Sequence, residues 1–274
     1  MSRGRLRYTA PPSRRIEPIS QATRALVIVP TYCERRNIAE LIPAILAHDT
    51  IEVLVVDDGS PDGTADAVRR LSARHAGRVH LIEREGKLGL GTAYVDGFRW
   101  ALTRDYTHMI EMDADLSHHP ASLPRLLHAS RQADLVIGSR YVPGGRTVNW
   151  PGYRKLISRA GSIYARSLLN LPVRDLTGGF KCFRRNVLES IDLDSVNSTG
   201  YAFQIELTYR AANRGFRIAE IPITFAERTH GTSKMDAAIV VEAVLCVLRL
   251  RAGATQPARP LVRPFRSPGE SPGV

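Results

Sequence analysis

The chain has few cysteines, few lysines and no long apolar run. Its three cysteines, Cys33, Cys182 and Cys246, lie far apart without a CxxC motif, which indicates neither a disulfide framework nor a zinc site. No run of 18 apolar residues occurs, so no helix is expected to span a membrane. The first 30 residues also lack the apolar segment of a signal peptide. We therefore expect the chain to stay in the cytoplasm.

Most of the net positive charge lies at the two ends of the chain. Of the net charge of +11, residues 1–24 supply +5 and residues 249–274 supply +4. A protein that binds a nucleic-acid duplex would carry its excess positive charge on the folded body, so no nucleic-acid partner is expected. Basic tails suit an anionic membrane surface, although Arg-rich tails also follow from a GC-rich genome, since only four of the 38 basic residues are Lys. Both tails, 1–23 and 252–274, are rich in Pro, Ser and Gly and are predicted to be disordered.

Apolar runs and helical periodicity alternate between the tails, in a chain of 274 residues that is 43% hydrophobic. Strands are predicted at 25–30, 52–57, 78–83, 107–113, 134–140, 180–184 and 216–225, and helices at 37–46, 64–74, 91–102, 153–170, 200–213 and 235–251. This alternation predicts an α/β fold with a mostly parallel sheet and helices on both faces. Asn37 and Glu40 are predicted to cap the first helix. The last helix either lies in a membrane interface or docks on its own domain.

Two carboxylates follow the fourth predicted strand, in the motif Asp113-Ala-Asp115. Ligands of parallel sheets bind beyond the carboxyl ends of the strands, which is where this motif falls. Paired carboxylates suit Mg²⁺ or Mn²⁺, which keep open positions for phosphate oxygens. His118 and His119 follow, and we interpret them as loop residues because a metal bound to diphosphate favours oxygen ligands.

Two glycine-containing loops follow earlier strands. Asp57 and Asp58 open a turn that either binds a ribose or base edge, or simply joins a strand to a helix capped by Asp62 or Thr64. The segment GKLGLG at 86–91 precedes a helix and suits a phosphate. It matches neither the P-loop nor the dinucleotide fingerprint, which argues against a nicotinamide-binding oxidoreductase.

Basic side chains form the remaining candidates. Arg140 ends a predicted strand, Arg228 precedes a small flexible segment that contains Lys234, and Arg154 lies one helical turn from Ser158. Each alone is typical of a solvated surface charge. As a set they suit a site that holds more than one phosphate.

Seven motifs occur in one order along residues 25–235. They are IVPTYCE (28–34), VVDDGSPDGT (55–64), GKLGLGTA (86–93), DAD (113–115), GSRYVPGG (138–145), DLTGGF (175–180) and GTSK (231–234). This series resembles the dolichol-phosphate or polyprenol-phosphate mannose synthases of glycosyltransferase family 2. The resemblance implies a GT-A catalytic domain over 24–235 that transfers mannose from GDP-mannose to a polyprenyl phosphate, and we predict direct displacement with inversion. Some members carry membrane helices after the catalytic domain, and none is predicted here. We therefore expect the chain to meet its lipid at the cytoplasmic face of a membrane through a membrane-anchoring protein partner, its basic tails or the final helix, which is predicted as an amphipathic, interfacial helix over 236–251.

The resemblance also assigns roles to residues. The nucleotide would be bound by Pro30, Tyr32, Glu34, Val55, Asp57 and Asp58. The metal and diphosphate would be faced by Asp113, Ala114, Asp115 and Ser117, with Asp115 favoured as the direct ligand. Phosphate groups would be bound by Arg140, Arg228 and Lys234, and the lipid phosphate by Arg154 with Ser158. The chain departs from the family pattern at Cys33, Ser117 and Gly178, where Asn, Gln and Ser are common.

A phosphate acceptor is already an anion and needs no strong general base. If the acceptor were instead a hydroxyl, Asp175 would be the leading candidate base. The nearest alternative function is a glucosyltransferase that uses UDP-glucose on the same lipid. A non-enzymatic scaffold would not need charged residues at every strand end.

Overall fold

The computed structural model describes residues 23–227, apart from Asn197 and Thr199, and residues 237–253. The strands are β1 (Ala25–Thr31), β2 (Ile51–Asp57), β3 (Val79–Glu83), β4 (His108–Glu111), β5 (Leu135–Ser139), β6 (Arg146–Val148), β7 (Lys181–Arg184), β8 (Ile218–Pro222) and β9 (Thr224–Ala226). The helices are α1 (Arg35–Leu46), α2 (Thr64–Arg74), α3 (Leu90–Leu102), α4 (Leu123–Ala129), α5 (Gly152–Leu169), α6 (Arg185–Ser190), α7 (Gly200–Asn213) and α8 (Ala237–Ala252). Residues 1–22, 228–236 and 254–274, which include nearly all of the predicted tails, lie outside the described residues.

Seven strands form the central sheet, in the order β3-β2-β1-β4-β7-β5-β8. All neighbouring pairs are parallel except the two that involve β7, which runs antiparallel to β4 and β5. The predicted mostly parallel sheet is therefore confirmed. Residues 25–29 of β1 are fully buried because both faces of the sheet are covered. Leu26 and Ile28 pack into the core that contains α3, whereas Val27 and Val29 pack into the core that contains α1.

Some predicted elements differ from the structure. The predicted Asn37–Glu40 cap is wrong: α1 begins at Arg35, and the Asn37 amide instead donates to Glu34, with Nδ2 and Oε2 2.6 Å apart. The single strand predicted at 216–225 is two strands. β8 completes the main sheet and ends at Pro222, which lacks the N–H needed to continue a ladder. β9 pairs with β6 in a separate two-stranded sheet.

The final helix docks on its own domain. α8 packs against α5 and α7, with Cys246 and Val247 buried in the contact. The Tyr209 hydroxyl of α7 donates to the Leu250 carbonyl at 3.3 Å. Among the residues the structure describes, no helix combines the length and apolarity that crossing a bilayer requires.

Candidate active site

A cavity of about 370 Å³ opens at the carboxyl edge of the sheet. Loops that follow β1, β2, β3, β4 and β5 form one part of its wall, and the loops before α5 and β7, together with α5, α7 and β9, form the rest. Ten of the predicted site residues line it: Pro30, Tyr32, Glu34, Asp58, Asp113, Ala114, Asp115, Ser117, Arg140 and Arg154. The position agrees with the expectation that ligands bind beyond the carboxyl ends of parallel strands.

Two residues predicted to bind the nucleotide lie behind the cavity wall. Val55 is fully buried within β2. Asp57 accepts hydrogen bonds from the Thr31 hydroxyl at 2.7 Å and from the Ser60 backbone N–H at 2.8 Å. Asp57 therefore ties the end of β1 to the turn after β2.

Asp58 lines the cavity and also holds the glycine-containing loop. Its Oδ2 accepts from the backbone N–H groups of Leu88 at 3.1 Å and Gly89 at 3.0 Å. Its Oδ1 accepts from the buried guanidinium of Arg84, whose Nε lies 2.6 Å away. Gly59 has a φ of +66°, and a Cβ there would come within 3.2 Å of the Arg84 carbonyl, so the turn needs glycine. Sequence reasoning missed Arg84 because nothing local marks a side chain that pairs across 26 residues.

The carboxylates of Asp113 and Asp115 face the cavity just beyond β4. Asp115 Oδ1 accepts from the Ser117 backbone N–H at 3.0 Å, across a turn in which Leu116 has a φ of +63°. Behind this turn the His118 ring stacks on Phe180, with centroids 4.9 Å apart.

Burial lowers the pKa of His118 to about 4, so the ring is neutral near pH 7. Its Nδ1 then accepts from the Asp113 backbone N–H at 3.3 Å. His119 Nδ1 similarly accepts from the Ala121 N–H at 3.2 Å. Both histidines thus support loops, as interpreted from the sequence.

The donor set of this turn fits a hard divalent cation. No group of three or more His, Cys, Asp or Glu side chains able to hold a metal occurs within the described residues. Mg²⁺ and Mn²⁺ do not need one, since they bind through one or two carboxylates and complete their shells with water and substrate phosphates. Asp113 and Asp115 would supply those carboxylates, and the cavity would receive the phosphates.

Arg140, on the loop after β5, is fixed in the cavity wall by Asp175. Its Nε lies 2.8 Å from Asp175 Oδ2 and its terminal nitrogen 2.6 Å from Oδ1, a bidentate pair. Burial alone would raise the pKa of Asp175, but the charge of Arg140, its hydrogen bonds and the charge of Lys181 together outweigh burial, and the pKa lies below its ordinary value. Asp175 is fully buried and does not line the cavity, so the structure assigns it to positioning Arg140 rather than to acting as a base.

Arg154 projects from the inner face of α5 into the cavity wall. It is almost fully buried, pairs with Glu227 at 3.2 Å and lies over the Trp150 ring at 4.8 Å. Ser158, one turn further along, accepts from the Tyr141 hydroxyl at 2.8 Å and does not line the cavity. Two further predicted phosphate ligands, Arg228 and Lys234, lie outside the described residues.

Gln204 is a cavity residue that sequence reasoning missed. It is 2% exposed, and its amide lies beside the fully buried carboxyl group of Glu111, whose pKa burial raises to about 8 while the Gln204 amide opposes that rise. A Cβ on Gly179 would come 3.6 Å from Gln204 Nε2 and 3.7 Å from Asp113 Oδ1, so the two side chains lie close together across that glycine. Lys181 anchors the backbone behind it by donating to the Gln204 carbonyl at 2.6 Å. The signal that could have identified Gln204 is that it is a polar residue within a helix that is buried on most sides.

Curated relatives match most of the chain. An undecaprenyl-phosphate mannosyltransferase of Micrococcus luteus is 52% identical over 231 residues, which cover 82% of this chain and 93% of the relative. A polyprenol monophosphomannose synthase of Mycolicibacterium smegmatis is 50% identical over 226 residues, covering 82% of this chain and 85% of the relative. The resemblance drawn from the seven motifs is thereby confirmed.

Solved structures agree on the fold. The glucosyl-3-phosphoglycerate synthase of Mycobacterium tuberculosis, in complex with Mn²⁺, UDP-glucose and phosphoglyceric acid, superposes with a TM-score of 0.62 at 19% identity. The match covers 89% of this chain and 86% of that one, and it confirms the predicted GT-A glycosyltransferase fold. The family model for glycosyl transferase family 2 matches residues 26–192, which is more than half of the sequence. The chain therefore belongs to glycosyl transferase family 2.

Proposed function

We propose that the chain transfers mannose from GDP-mannose to a polyprenyl monophosphate, with inversion, giving polyprenyl β-mannosyl phosphate and GDP. One observation carries the proposal: a single cavity is lined both by carboxylates, on the loops after β1, β2 and β4, and by two buried guanidinium groups, on the loop after β5 and on α5. We name these two groups of lining residues the carboxylate side and the guanidinium side. Such a cavity suits two phosphate-bearing substrates that must be brought together. The names of the two relatives, which are about half identical to this chain, support the sugar and the lipid acceptor.

The carboxylate side of the cavity suits the nucleotide sugar. Tyr32, Glu34 and Asp58 would contact the nucleoside, and Lys87, whose Nζ lies 4.8 Å from the centre of the Tyr32 ring, would reach a phosphate. Asp113 and Asp115 would hold Mg²⁺ or Mn²⁺. When bound, such an ion would offset the negative charge of the diphosphate and of the departing GDP.

The guanidinium side suits the lipid phosphate. Arg140 is pre-positioned by Asp175, and Arg154 lines the same wall. A phosphate oxygen of the acceptor would attack the anomeric carbon of mannose, and the bond from that carbon to the GDP oxygen would break. The bonding electrons leave with GDP, and no proton transfer is needed because the acceptor is already an anion. Fixed cations reduce the repulsion between the two anionic substrates without reorganising during the reaction.

The acceptor is a membrane lipid, so we expect the enzyme to act peripherally at the cytoplasmic face of a membrane. A membrane-anchoring protein partner remains part of the proposal, and co-purification from solubilised membranes would identify it.

A transfer assay tests the proposal. The purified chain would receive labelled GDP-mannose or UDP-glucose, polyprenyl phosphate and Mg²⁺ or Mn²⁺, and the label would be followed into the organic phase. We expect metal-dependent labelling from GDP-mannose alone, and a β-linked product by NMR. Labelling from UDP-glucose alone would overturn the assignment of mannose as the sugar. No lipid labelling from either donor would overturn the assignment of polyprenyl phosphate as the acceptor.

A further inference from the structure

Helix α5 has its apolar side turned away from the protein. The buried face carries Arg154, Ser158, Ser162, Ala165 and Leu169, most of which are polar or small. The exposed face carries four large apolar side chains: Tyr153, Leu156, Ile157 and Ile163. A water-facing helix of a globular protein has the opposite arrangement, with its apolar stripe toward the core.

Helix α8 extends this exposed apolar face. It packs against α5, and the Tyr164 hydroxyl reaches the Val244 carbonyl at 3.5 Å. Its own exposed apolar residues are Val241, Val244, Leu245 and Leu248. Eight of the ten exposed large hydrophobic side chains in the described part of the chain thus lie on these two neighbouring helices. We name these eight residues the α5–α8 surface.

Basic side chains border the α5–α8 surface. Lys155, Arg159 and Arg166 are exposed and form one stripe along α5, between its buried and its apolar faces. Arg249 and Arg251 are exposed in the last turns of α8. An apolar face with a basic border is the combination by which amphipathic helices bind anionic bilayers. The charge therefore favours a lipid surface over a neutral protein surface as the occupant.

The same helix connects this surface to the cavity. Arg154 faces the cavity from one side of α5, while Leu156 and Ile157 point outward from the other. An α-helix with its side chains is about 10 Å across. A bilayer in contact with the outer face would therefore lie about one helix diameter from Arg154.

We infer that the α5–α8 surface docks on an anionic bilayer and brings the headgroup region of the lipid acceptor to the Arg154 side of the cavity. The inference deepens the proposed function and rests on it for the acceptor, but the docking itself is measurable without any sugar transfer. Leu156, Ile157 and Ile163 would enter the interface, and the basic stripe of α5 would contact lipid phosphates.

Vesicle sedimentation of the full chain tests the docking. The vesicles would contain phosphatidylcholine alone, or with about one third phosphatidylglycerol. We expect the parent to bind the anionic vesicles. Binding should be at least tenfold weaker for Leu156→Gln, and weaker still when Leu156→Gln is combined with Ile163→Gln. Leu88→Gln is the matched control, because Leu88 is 60% exposed and Leu156 71% exposed, and Leu88 lies outside both helices. Replacing Lys155, Arg159 and Arg166 together by Gln should lower binding to anionic vesicles about tenfold and change binding to neutral vesicles little.

Transfer assays separate this inference from the proposed function. The Leu156→Gln, Ile163→Gln variant should keep its transfer to farnesyl phosphate in solution and lose at least tenfold with long-chain polyprenyl phosphate in vesicles. If the parent transfers sugar to neither acceptor, the proposed function fails. The docking surface would still be supported if the parent binds anionic vesicles and this variant does not. Equal vesicle binding by parent and variant would overturn the docking. Dimerisation of the parent without vesicle binding, abolished in the same variant, would assign the surface to a second copy and overturn it too.

Discussion

The two sides of the cavity differ in how their charges are held. On the carboxylate side, Asp113 and Asp115 lie on a turn held by hydrogen bonds from the Asp113 backbone N–H to His118 Nδ1 and from the Ser117 backbone N–H to Asp115 Oδ1. On the guanidinium side, Arg140 is bound into a bidentate ion pair with the buried Asp175 before any substrate arrives. Burial alone would lower the pKa of Arg140, but Asp175 raises it above its ordinary value, so the guanidinium stays charged throughout the working pH range.

This difference follows from what each side would bind. A diphosphate that arrives with a cation needs oxygen ligands, and carboxylates at the rim of the cavity provide them. A lipid phosphate arrives without a counter-ion, so the protein supplies fixed cations instead. Buried cations are costly unless paired, which explains why Arg140 has a dedicated carboxylate and Arg154 has Glu227.

Removing a carboxylate from the first side should have the largest effect. Asp115→Asn should lower the rate of transfer about a thousandfold, since it removes a proposed metal ligand and a negative charge from the proposed metal and diphosphate site. Nucleotide binding measured by calorimetry should lose its dependence on Mg²⁺ or Mn²⁺. Asp105→Asn, at an exposed carboxylate far from the cavity, is the matched control. Metal-dependent transfer at parental rates in Asp115→Asn would end the assignment of this side to the metal.

Breaking the Arg140–Asp175 ion pair on the guanidinium side should lower the stability of the fold. Asp175→Asn should lower the free energy of unfolding by about 3–5 kcal/mol near neutral pH, because it leaves Arg140 buried and unpaired. The pKa of Asp175 is lowered in the folded protein, so its contribution is present above its unfolded pKa and is lost as the pH falls through the folded value. Denaturant unfolding of parent and variant should therefore converge at acid pH. A gap independent of pH would show that the ion pair does not stabilise the fold.

Much of the fold follows from local sequence patterns. β1 and β2 each contain a continuous run of Val, Ile and Leu. Such a run predicts a strand that is buried on both faces of a sheet. The position of Asp113 and Asp115 followed from the strand before them. The break between β8 and β9 was not predictable in this way, because β9 forms only by pairing with β6, about 78 residues earlier in sequence.

The site was predicted less completely than the sheet. The motifs identify which loops surround the cavity but not which side chain of a loop faces it, and Val55 and Asp57, both predicted to bind the nucleotide, are buried within β2. Arg84 owes its role to Asp58, 26 residues away in sequence, and Gln204 lies near Asp113 only in the folded chain, so local patterns identified neither.

Arg154→Gln should weaken the binding of polyprenyl phosphate at the guanidinium side and leave nucleotide binding at the carboxylate side unchanged. An ionic hydrogen bond to a phosphate contributes about 1.5–3 kcal/mol, so the KM for polyprenyl phosphate should rise roughly tenfold to a hundredfold. The affinity for GDP, measured by calorimetry, should stay within about twofold of the parent. Arg69→Gln, at an exposed arginine of α2, serves as the control. An equal loss of affinity for both substrates would contradict the division of the cavity into two sides.

Gln204 lies in the cavity wall near Asp113, and its replacement should have the smallest effect. Gln204→Leu keeps the approximate volume but removes an amide that lies beside the buried Glu111 carboxyl and forms no hydrogen bond of good geometry among the described residues. The loss of so weak a contact should change the free energy of unfolding by no more than about 1 kcal/mol. If the amide binds a sugar hydroxyl or a phosphate oxygen, kcat should nevertheless fall about tenfold, since that hydrogen bond is lost in the transition state. Thermal unfolding and steady-state kinetics of Gln204→Leu, beside the exposed control Gln132→Leu, would therefore show activity falling while stability stays close to that of the parent. A structural role for Gln204 predicts that they fall together.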